Sequence, residues 1–471
     1  MVNSKTHTGR VGQIQAQLQN FFAERKKVRI YHGSTYSTRA QDFSHDSIID
    51  TSDLNQVVEV NAAQKYALVE PNVSMTKLVE ATLRHGLIPP VVMEFPEITV
   101  GGGIGGGAGE SSSFKYGLFH DTCLEYEIVL GNGDRVTASR TKHADLFWGT
   151  ACSFGSLCII TLVKLKLVPA KPFVRLTYQR VNDFAEAAAV TTQSTKGPAT
   201  YVDSILFAKD RGVVMSGTLT DQTSPAASFR QRRDDWFYLH AEKICGRHGR
   251  YEESIPIRDY LFRYDRGGYW MGQHALQFLK IPFVEPVRTV LDGLLHTQPM
   301  YNFLHTTNLS QRFFIQDLSM PQKRTVELLE YLDDELGVYP VWLCPLPAGA
   351  DDKFAPSSLP TDQVINVGVW GVLRRNQTDF VQINRAVEAK VKTLGGRKVL
   401  YAHAYYSPEE FWAIYDHRWY TELRKKYRAE SVFLDIYEKI RTDKQYKSSI
   451  LRGIVKGLHS HKLPPPPPGR R

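Results

Sequence analysis

The stretch Thr99-Val-Gly-Gly-Gly-Ile-Gly-Gly-Gly-Ala-Gly109 decides how this sequence is interpreted, because it holds seven glycines in nine positions from Gly101. Glycine loses more conformational freedom on folding than any other residue, so such a cluster needs a compensating role. A predicted loop without side chains can approach a pyrophosphate closely and donate its backbone N–H groups to it. A flexible linker is the alternative. No Gly-Lys-Ser or Gly-Lys-Thr triplet ends the stretch, so it is not a Walker A loop.

The sequence around the glycines predicts an α+β fold. Short apolar segments at 28–31, 47–50, 57–61 and 67–70 predict strands before the glycines, and Ser74 caps a predicted helix that reaches Arg84. Segments 126–130 and 135–138 flank an Asn-Gly turn and predict a hairpin. A Rossmann unit places its glycines after the first strand, so the order of these elements excludes that fold.

The segments after Pro172 predict a second α+β region. Strands are expected at 173–178, 201–207, 212–218, 339–343 and 364–369, and helices at 184–193, 322–336, 379–394 and 409–426. We therefore expect four parts: an N-terminal helix over 1–27, a first domain over 28–170, a second domain over 171–445, and a tail over 446–471.

Four separated motifs in the first domain fall in an order that resembles a known family. They are the small-residue turn Gly33-Ser-Thr-Tyr-Ser37, the glycine stretch, Tyr116-Gly-Leu-Phe-His-Asp121, and Gly155-Ser-Leu-Cys-Ile-Ile-Thr161. This set is similar to the FAD-binding domain of the vanillyl-alcohol oxidase type, also called the PCMH-type fold. The resemblance implies that both glycine-containing turns hold the FAD pyrophosphate. The implied FAD contacts are Gly33, Ser34, Thr35, Ser37, Thr99, Val100, Gly101, Gly102, Gly103, Gly105, Gly106, Gly107, Gly109, Ser111, Ser112, Asp121, Gly155, Ser156 and Ile159.

A wider resemblance covers residues 12 to 440. Tyr339-Pro-Val-Trp-Leu-Cys-Pro345, Gln316-Asp317, Leu400-Tyr-Ala402 and Glu409-Glu-Phe-Trp412 look like the corresponding stretches of the Δ24-sterol reductase family. The resemblance implies reduction of an isolated carbon–carbon double bond in the aliphatic tail of a sterol, with FAD as cofactor and NADPH as electron donor. The family carries a membrane anchor ahead of the flavin domain, whereas this sequence starts almost at that domain. His403 stands where an acidic residue is expected.

The reduction needs a protein acid, and four residues are candidates. His403, Tyr405 and Tyr406 lie in one segment of the second domain; on a strand, His403 and Tyr405 would share a face. Glu110 is the fourth candidate, although a carboxylate beside the glycines also suits ordering of backbone N–H groups. A structural role for His403 is the alternative. Members of the resembled fold with covalent FAD often carry a histidine in a Gly-His-Ser turn. The first turn of this sequence contains no Gly-His-Ser, and His32 is out of register with that histidine, so we expect non-covalent FAD.

Composition limits the partners and the location. The net charge is +9, and 13 Lys and Arg against 4 Asp and Glu from Arg424 to Arg471 account for all of it. A neutral body argues against nucleic acid as a partner. Five cysteines without a C-x-x-C pair argue against a structural metal site and favour a reducing compartment. No apolar leader is seen at the start, and we expect no signal peptide.

Two segments bear on membrane contact. Leu146 to Val163 is uncharged for 18 residues, which reaches the threshold for a spanning helix, but the flavin-domain resemblance assigns it to a helix end, a loop and a strand. In the tail, Ile450, Leu451, Ile454, Val455 and Leu458 predict one apolar helical face beside basic residues. We expect peripheral attachment to the cytoplasmic face of the endoplasmic reticulum or another membrane, or otherwise a cytoplasmic protein. An oxidase or dehydrogenase of the same fold, and a non-catalytic lipid-binding protein, remain alternatives.

Overall fold

The computed structural model describes residues 6–33, 36–39, 45–223, 226–307, 309–349, 353–373 and 379–442. Ser34 and Thr35 of the first turn, and the tail 446–471, lie outside these residues. The α+β class is confirmed by the helices and sheets of the described residues.

Among the first 170 residues, those that the structure describes form short strands with few helices between them. The strands are β1 (Arg29–Tyr31), β2 (Ile48–Asp50), β3 (Val57–Asn61), β4 (Tyr66–Val69), β5 (Leu87–Ile88), β6 (Cys123–Val129), β7 (Arg135–Ser139), β8 (Ile159–Lys166) and β9 (Val168–Pro169). The helices are α1 (His7–Ala23), α2 (Met75–Leu83), α3 (Val100–Gly106), α4 (Ser113–Tyr116) and α5 (Ala144–Thr150). A five-stranded antiparallel sheet has the order β3-β4-β8-β6-β7.

The remaining described residues are built on an eight-stranded antiparallel sheet, in the order β13-β10-β12-β11-β15-β16-β14-β17. Its strands are β10 (Phe173–Val181), β11 (Tyr201–Ala208), β12 (Arg211–Thr220), β13 (Arg250–Pro256), β14 (Phe313–Pro321), β15 (Val341–Pro347), β16 (Gln363–Val372) and β17 (Arg397–Lys398). The helices are α6 (Phe184–Ser194), α7 (Phe237–Arg247), α8 (Ile257–Leu261), α9 (Met271–Phe278), α10 (Glu285–Leu291), α11 (Thr297–Thr307), α12 (Thr325–Glu335), α13 (Phe380–Thr393), α14 (Pro408–Trp412), α15 (His417–Lys426) and α16 (Ile436–Ile440).

The central strands of the large sheet are buried on both faces, and alternate side chains serve different purposes. Leu318, Leu343 and Val367 share a core cluster with apolar residues of α6, α12 and α13. The opposite positions on the same strands, among them Asp317 and Trp342, line a cavity. The sheet is therefore a wall with helices behind it and the candidate site in front.

The structure can be compared with the predictions for the uncharged run and for the helix over 409–426. The uncharged run from Leu146 to Val163 is the end of α5, a loop and the start of β8, as the flavin-domain resemblance implied. Among the residues that the structure describes, no helix is long and apolar enough to cross a membrane. The helix predicted over 409–426 is wrong as a single element: α14 and α15 are separate, because the Asp416 side chain accepts from the Trp419 N–H and caps a new helix.

The prediction of a loop over the glycine stretch is also wrong, because residues 100–106 form α3. Thr99 is its N-cap, and its Oγ1 accepts from the Gly102 N–H at 3.1 Å. The Gly101 N–H donates to the Pro71 carbonyl at 2.7 Å, and the Gly103 N–H donates to the Thr99 carbonyl at 2.8 Å. The first N–H groups are thus satisfied within the protein. Gly107 ends the helix in the left-handed conformation, with φ +67°.

One buried ion cluster joins the two regions. The Arg263 guanidinium lies 2.9 Å from a carboxylate oxygen of Glu110, which follows the glycine stretch, and 2.9 Å from one of Asp203 on β11. All three side chains are almost completely buried. Removal of one partner from such a cluster leaves uncompensated buried charge.

We predict that Arg263→Met lowers the free energy of unfolding by about 3–5 kcal/mol, because it leaves two buried carboxylates without a cation. The measurement is chemical denaturation followed by tryptophan fluorescence. Arg418→Met is the matched control, since Arg418 is 90% exposed and pairs with the exposed Glu422; its effect should stay within about 0.5 kcal/mol. Equal stability of the two variants would contradict the assigned role of Arg263.

Candidate functional site

A cavity of about 690 Å³ is lined by residues of both regions. Its wall from the first region includes α3, the β1 end and the loop before β8. Its wall from the second region includes α9, α11 and the front of the eight-stranded sheet. This volume is typical of small-molecule and cofactor sites.

Four separated segments converge at one end of the cavity. The Phe154 N–H donates to the Gly105 carbonyl at 3.0 Å, which joins the loop before β8 to α3. A Cβ atom on Gly155, which has φ +66°, would come within 2.8 Å of Ile30 on β1. The Lys439 ammonium of α16 donates to the Gly155 carbonyl at 2.9 Å. Tertiary structure therefore assembles the motifs that the sequence contains separately.

The glycines of the stretch fall into two groups according to what a Cβ atom would meet. At Gly101, Gly107 and Gly109 it would collide with Pro71, Cys152 and Leu118 at 2.9, 2.6 and 2.7 Å. Gly103 is similarly packed, against Met93. At Gly105 the nearest atom would be 3.8 Å away, and at Gly106 nothing lies within 4 Å. Both line the cavity. Protein packing does not explain glycine at these two positions, whereas close approach of a ligand does.

Two polar side chains at the same end also fit an anionic ligand. Lys439 lines the cavity and has no carboxylate partner among the described residues. Burial, and then the nearby Arg29, lower the pKa of Lys439 to about 7. Burial also lowers the pKa of His32 to about 4, and within the described ranges its Nδ1 has no hydrogen-bond partner. A pyrophosphate would supply the missing negative charge and acceptors, so these residues fit FAD.

The implied FAD contacts divide according to their positions. Those that line the cavity are Ser37, Thr99, Gly101, Gly102, Gly105, Gly106, Gly107, Gly109, Gly155 and Ile159. The implied contacts that the structure describes but that do not line the cavity are Gly33, Val100, Gly103, Ser111, Ser112, Asp121 and Ser156. Several of these have structural partners: the Asp121 carboxylate accepts from the Leu118 N–H at 2.8 Å, and the Ser112 hydroxyl donates to the Pro90 carbonyl at 2.9 Å.

The proposed acids of the His403 segment lie away from the lining. His403 is fully buried, its Nδ1 lies 3.1 Å from the Thr38 hydroxyl, and burial lowers its pKa to about 3. The rings of His403 and Tyr405 are parallel within 9°, so they do share a face, but the segment is not a strand. Tyr406 is buried near Lys398. None of the three lines the cavity. Glu110 is likewise buried, in the ion cluster with Arg263.

Other carboxyl groups, which the sequence analysis did not assign, do face the cavity. Glu94 lines it, and burial followed by repulsion from Glu110 raises the pKa of Glu94 to about 8. Asp317 lines it on β14, and burial raises the pKa of that carboxyl to about 6. Its oxygens accept from the Tyr401 hydroxyl at 2.6 Å and from the Asn366 amide at 2.7 Å. At neutral pH Glu94 is therefore protonated, and Asp317 is mostly ionised.

Tyr269 is a further cavity residue that the sequence analysis missed. It lines the cavity, its hydroxyl has no hydrogen-bond partner among the described residues, and its backbone has φ +59°. A bulky side chain in that region is strained, and such strain concentrates at functional sites. Its ring packs against Trp370, with centroids 4.4 Å apart. The preceding pair Gly267-Gly268, both with positive φ, was the available sequence signal.

We predict that Lys439→Met weakens FAD binding roughly 10- to 100-fold, because a charge-assisted hydrogen bond to an anion is lost. FAD titration followed by fluorescence is the measurement. Bound anion favours protonated Lys439, so FAD affinity of the parent protein should fall as the pH rises above about 7. The variant should lose this pH dependence. Lys142→Met, at an exposed position, is the control. An unchanged affinity and pH profile in Lys439→Met would exclude Lys439 from the anion site.

Comparison with known proteins agrees with this site. Residues 9–139 match the family model of an FAD binding domain. The sequence is 29% identical over 453 residues to the Delta(24)-sterol reductase of Homo sapiens, covering 93% of this protein and 86% of the relative. It is 28% identical over 442 residues to that of Arabidopsis thaliana, covering 85% and 78%. Cytokinin dehydrogenase 7 of Oryza sativa subsp. japonica is 36% identical over 112 residues, which cover 23% of this protein and 21% of that one.

These matches bear on three of the sequence-based predictions. They confirm the PCMH-type FAD-binding fold and the class of FAD-dependent oxidoreductase. They also confirm the family resemblance, since the long matches extend far beyond the cofactor domain. Residues 9–139 thus form an FAD-binding domain, and the sequence is similar to Delta(24)-sterol reductases along nearly its whole length.

Proposed function

We propose that the protein is an FAD-dependent reductase that saturates an isolated carbon–carbon double bond in the aliphatic tail of a sterol, with NADPH as electron donor. The observation that carries this proposal is the continuity of the cavity. One space joins the glycines of α3 to an apolar wall formed by Leu276, Leu291, Leu295, Met300, Phe303 and Leu304. A nucleotide cofactor and a large apolar substrate suit its two ends.

Saturation of the double bond requires one hydride and one proton. When bound, FAD supplies the hydride. The protein's part is the proton, and Glu94 is suited to it because it lines the cavity and is protonated at neutral pH. Proton transfer from its carboxyl group to the less substituted alkene carbon leaves the positive charge on the tertiary carbon. The leucines of the apolar wall orient the sterol and exclude water.

Anaerobic flavin spectroscopy tests this function on the purified, FAD-loaded protein. We expect NADPH to bleach the flavin absorbance, and a sterol with a Δ24 double bond to restore it with one saturated product per flavin. NADH serves as the comparison donor. The match over 112 residues to a cytokinin dehydrogenase favours a second candidate, a dehydrogenase or oxidase. In that case NADPH would leave the flavin oxidised, and a substrate would bleach it until oxygen is admitted.

Glu94→Gln should slow saturation of the sterol roughly 100-fold or more, which is the usual contribution of a general acid. NADPH should still reduce its flavin, and FAD content should be unchanged. In the parent protein the saturation step should slow as the pH rises above about 8, because Glu94 then loses its proton. Glu125→Gln, at an exposed position, is the matched control. Full turnover in Glu94→Gln combined with slow turnover in His403→Gln would instead support the sequence-based assignment of His403.

A further inference from the structure

Exposed apolar side chains are concentrated in one short segment. Among the described residues, six large hydrophobic residues are exposed, and four of them lie between residues 279 and 294. They are Leu279 (37% exposed), Val284 (49%), Val290 (80%) and Leu294 (45%). We call residues 279–294 the apolar lip. Scattered exposed apolar residues are normal, but a cluster marks a surface that meets something other than water.

Two charged residues of the apolar lip are less exposed than its four exposed apolar residues. Asp292 is buried and pairs with Arg266 at 2.8 Å, and Arg288 is 14% exposed and lies 3.6 Å from Asp235. Val290, between them in sequence, is the most exposed of the four apolar residues. Two of the four charges of the lip therefore point into the protein while its apolar side chains point out. In water the opposite arrangement is normal.

The apolar lip is also the rim of the cavity. Leu279 and Leu294 are exposed, yet both line the cavity, together with Ile281, Leu291 and Leu295. Among the other lining residues that the structure describes, Gly102 on α3 alone is exposed. The cavity thus reaches the surface at its apolar end through the lip.

We propose that the apolar lip rests on a lipid bilayer, so that an apolar substrate passes between the membrane and the cavity without crossing water. A second copy or another protein seated on the lip would cover this opening, whereas a bilayer is itself the source of an apolar ligand. The exposed Lys280 suits this placement, because a lysine at such a rim can reach lipid headgroups. Only the nature of the ligand that passes rests on the proposed function; the contact with lipid does not.

Vesicle flotation with the full-length protein tests the contact itself. The probe is a vesicle of phosphatidylcholine, which carries no net charge, compared with one that contains phosphatidylserine. Val284→Gln/Val290→Gln should reduce partitioning onto both vesicles by at least about tenfold, because two apolar side chains no longer leave water. The control is Val58→Gln/Leu124→Gln. These are the other two exposed hydrophobic residues of the described ranges, and they do not line the cavity. The control should partition like the parent protein.

Three results would overturn the proposal. The first is equal partitioning of the parent protein and of Val284→Gln/Val290→Gln, which we call the lip variant. Binding only to phosphatidylserine vesicles, lost on removal of 446–471 but not in the lip variant, would assign attachment to the tail. A change of oligomeric state in the lip variant by light scattering, without a change in flotation, would assign the surface to a second copy.

A further assay separates this proposal from the proposed function. The Δ24 sterol is supplied either within phosphatidylcholine vesicles or as a cyclodextrin complex. We expect the lip variant to be slowed at least about tenfold with vesicles and to match the parent with cyclodextrin. If the parent saturates the sterol from neither source, the proposed function fails, while flotation still decides the role of the lip. If the lip variant is equally active from both sources, the passage of substrate through the lip is wrong.

Discussion

The buried guanidinium of Arg263 is the interaction on which the arrangement of the two regions depends. It holds Glu110, at the end of the glycine stretch, against Asp203 on the eight-stranded sheet. Hydrogen bonds from Tyr264 and Trp342, at 2.6 and 3.1 Å, reach the same oxygen of Asp203 that Arg263 contacts. Charges withdrawn from water need such partners, so these donors help the cluster to remain buried. The cavity is lined by elements of both regions that this cluster joins.

The glycine helix α3 meets two demands: it packs closely against Pro71 and Met93, and it keeps its cavity side free of side chains. Five glycines in α3 cost about 1 kcal/mol each relative to alanine in a helix interior. The Thr99 cap and close packing against Pro71 and Met93 offset part of that cost. The remaining glycines keep the cavity side free of Cβ atoms. A helix of ordinary composition would collide with Pro71 and Met93, and its side chains would also fill the space that the cofactor needs.

Local signals explain what could be predicted from the sequence. The Asn-Gly hairpin, the Ser74 cap and the β-branched strand β8 each depend on neighbouring residues, and all three are present. The order of motifs identified the fold because it reflects the order of elements in the sequence. The glycine stretch was misjudged because helix propensity ignores the tertiary contacts that stabilise α3. No local signal marks Lys439, which is near Gly155 in space but 284 residues away in sequence.

The proposed proton donor is another feature that local sequence signals do not identify. Alternation on a strand would place His403 and Tyr405 on one face, but the segment is not a strand, and neither residue lines the cavity. Glu94 carries no motif, and its suitability comes from burial and from a charge that folding brings close.

The charge that folding brings close to Glu94 is that of Glu110, which belongs to the Arg263 cluster. The cluster has two carboxyl groups and one guanidinium; repulsion from Glu110 adds to burial in raising the pKa of Glu94, while Arg263 lowers it. The negative charge that the guanidinium stabilises at the junction therefore helps to keep Glu94 protonated. The structural and chemical roles of the cluster are linked, because Glu110, which joins the two regions through Arg263, also adds to the effect of burial in keeping the proposed acid Glu94 protonated.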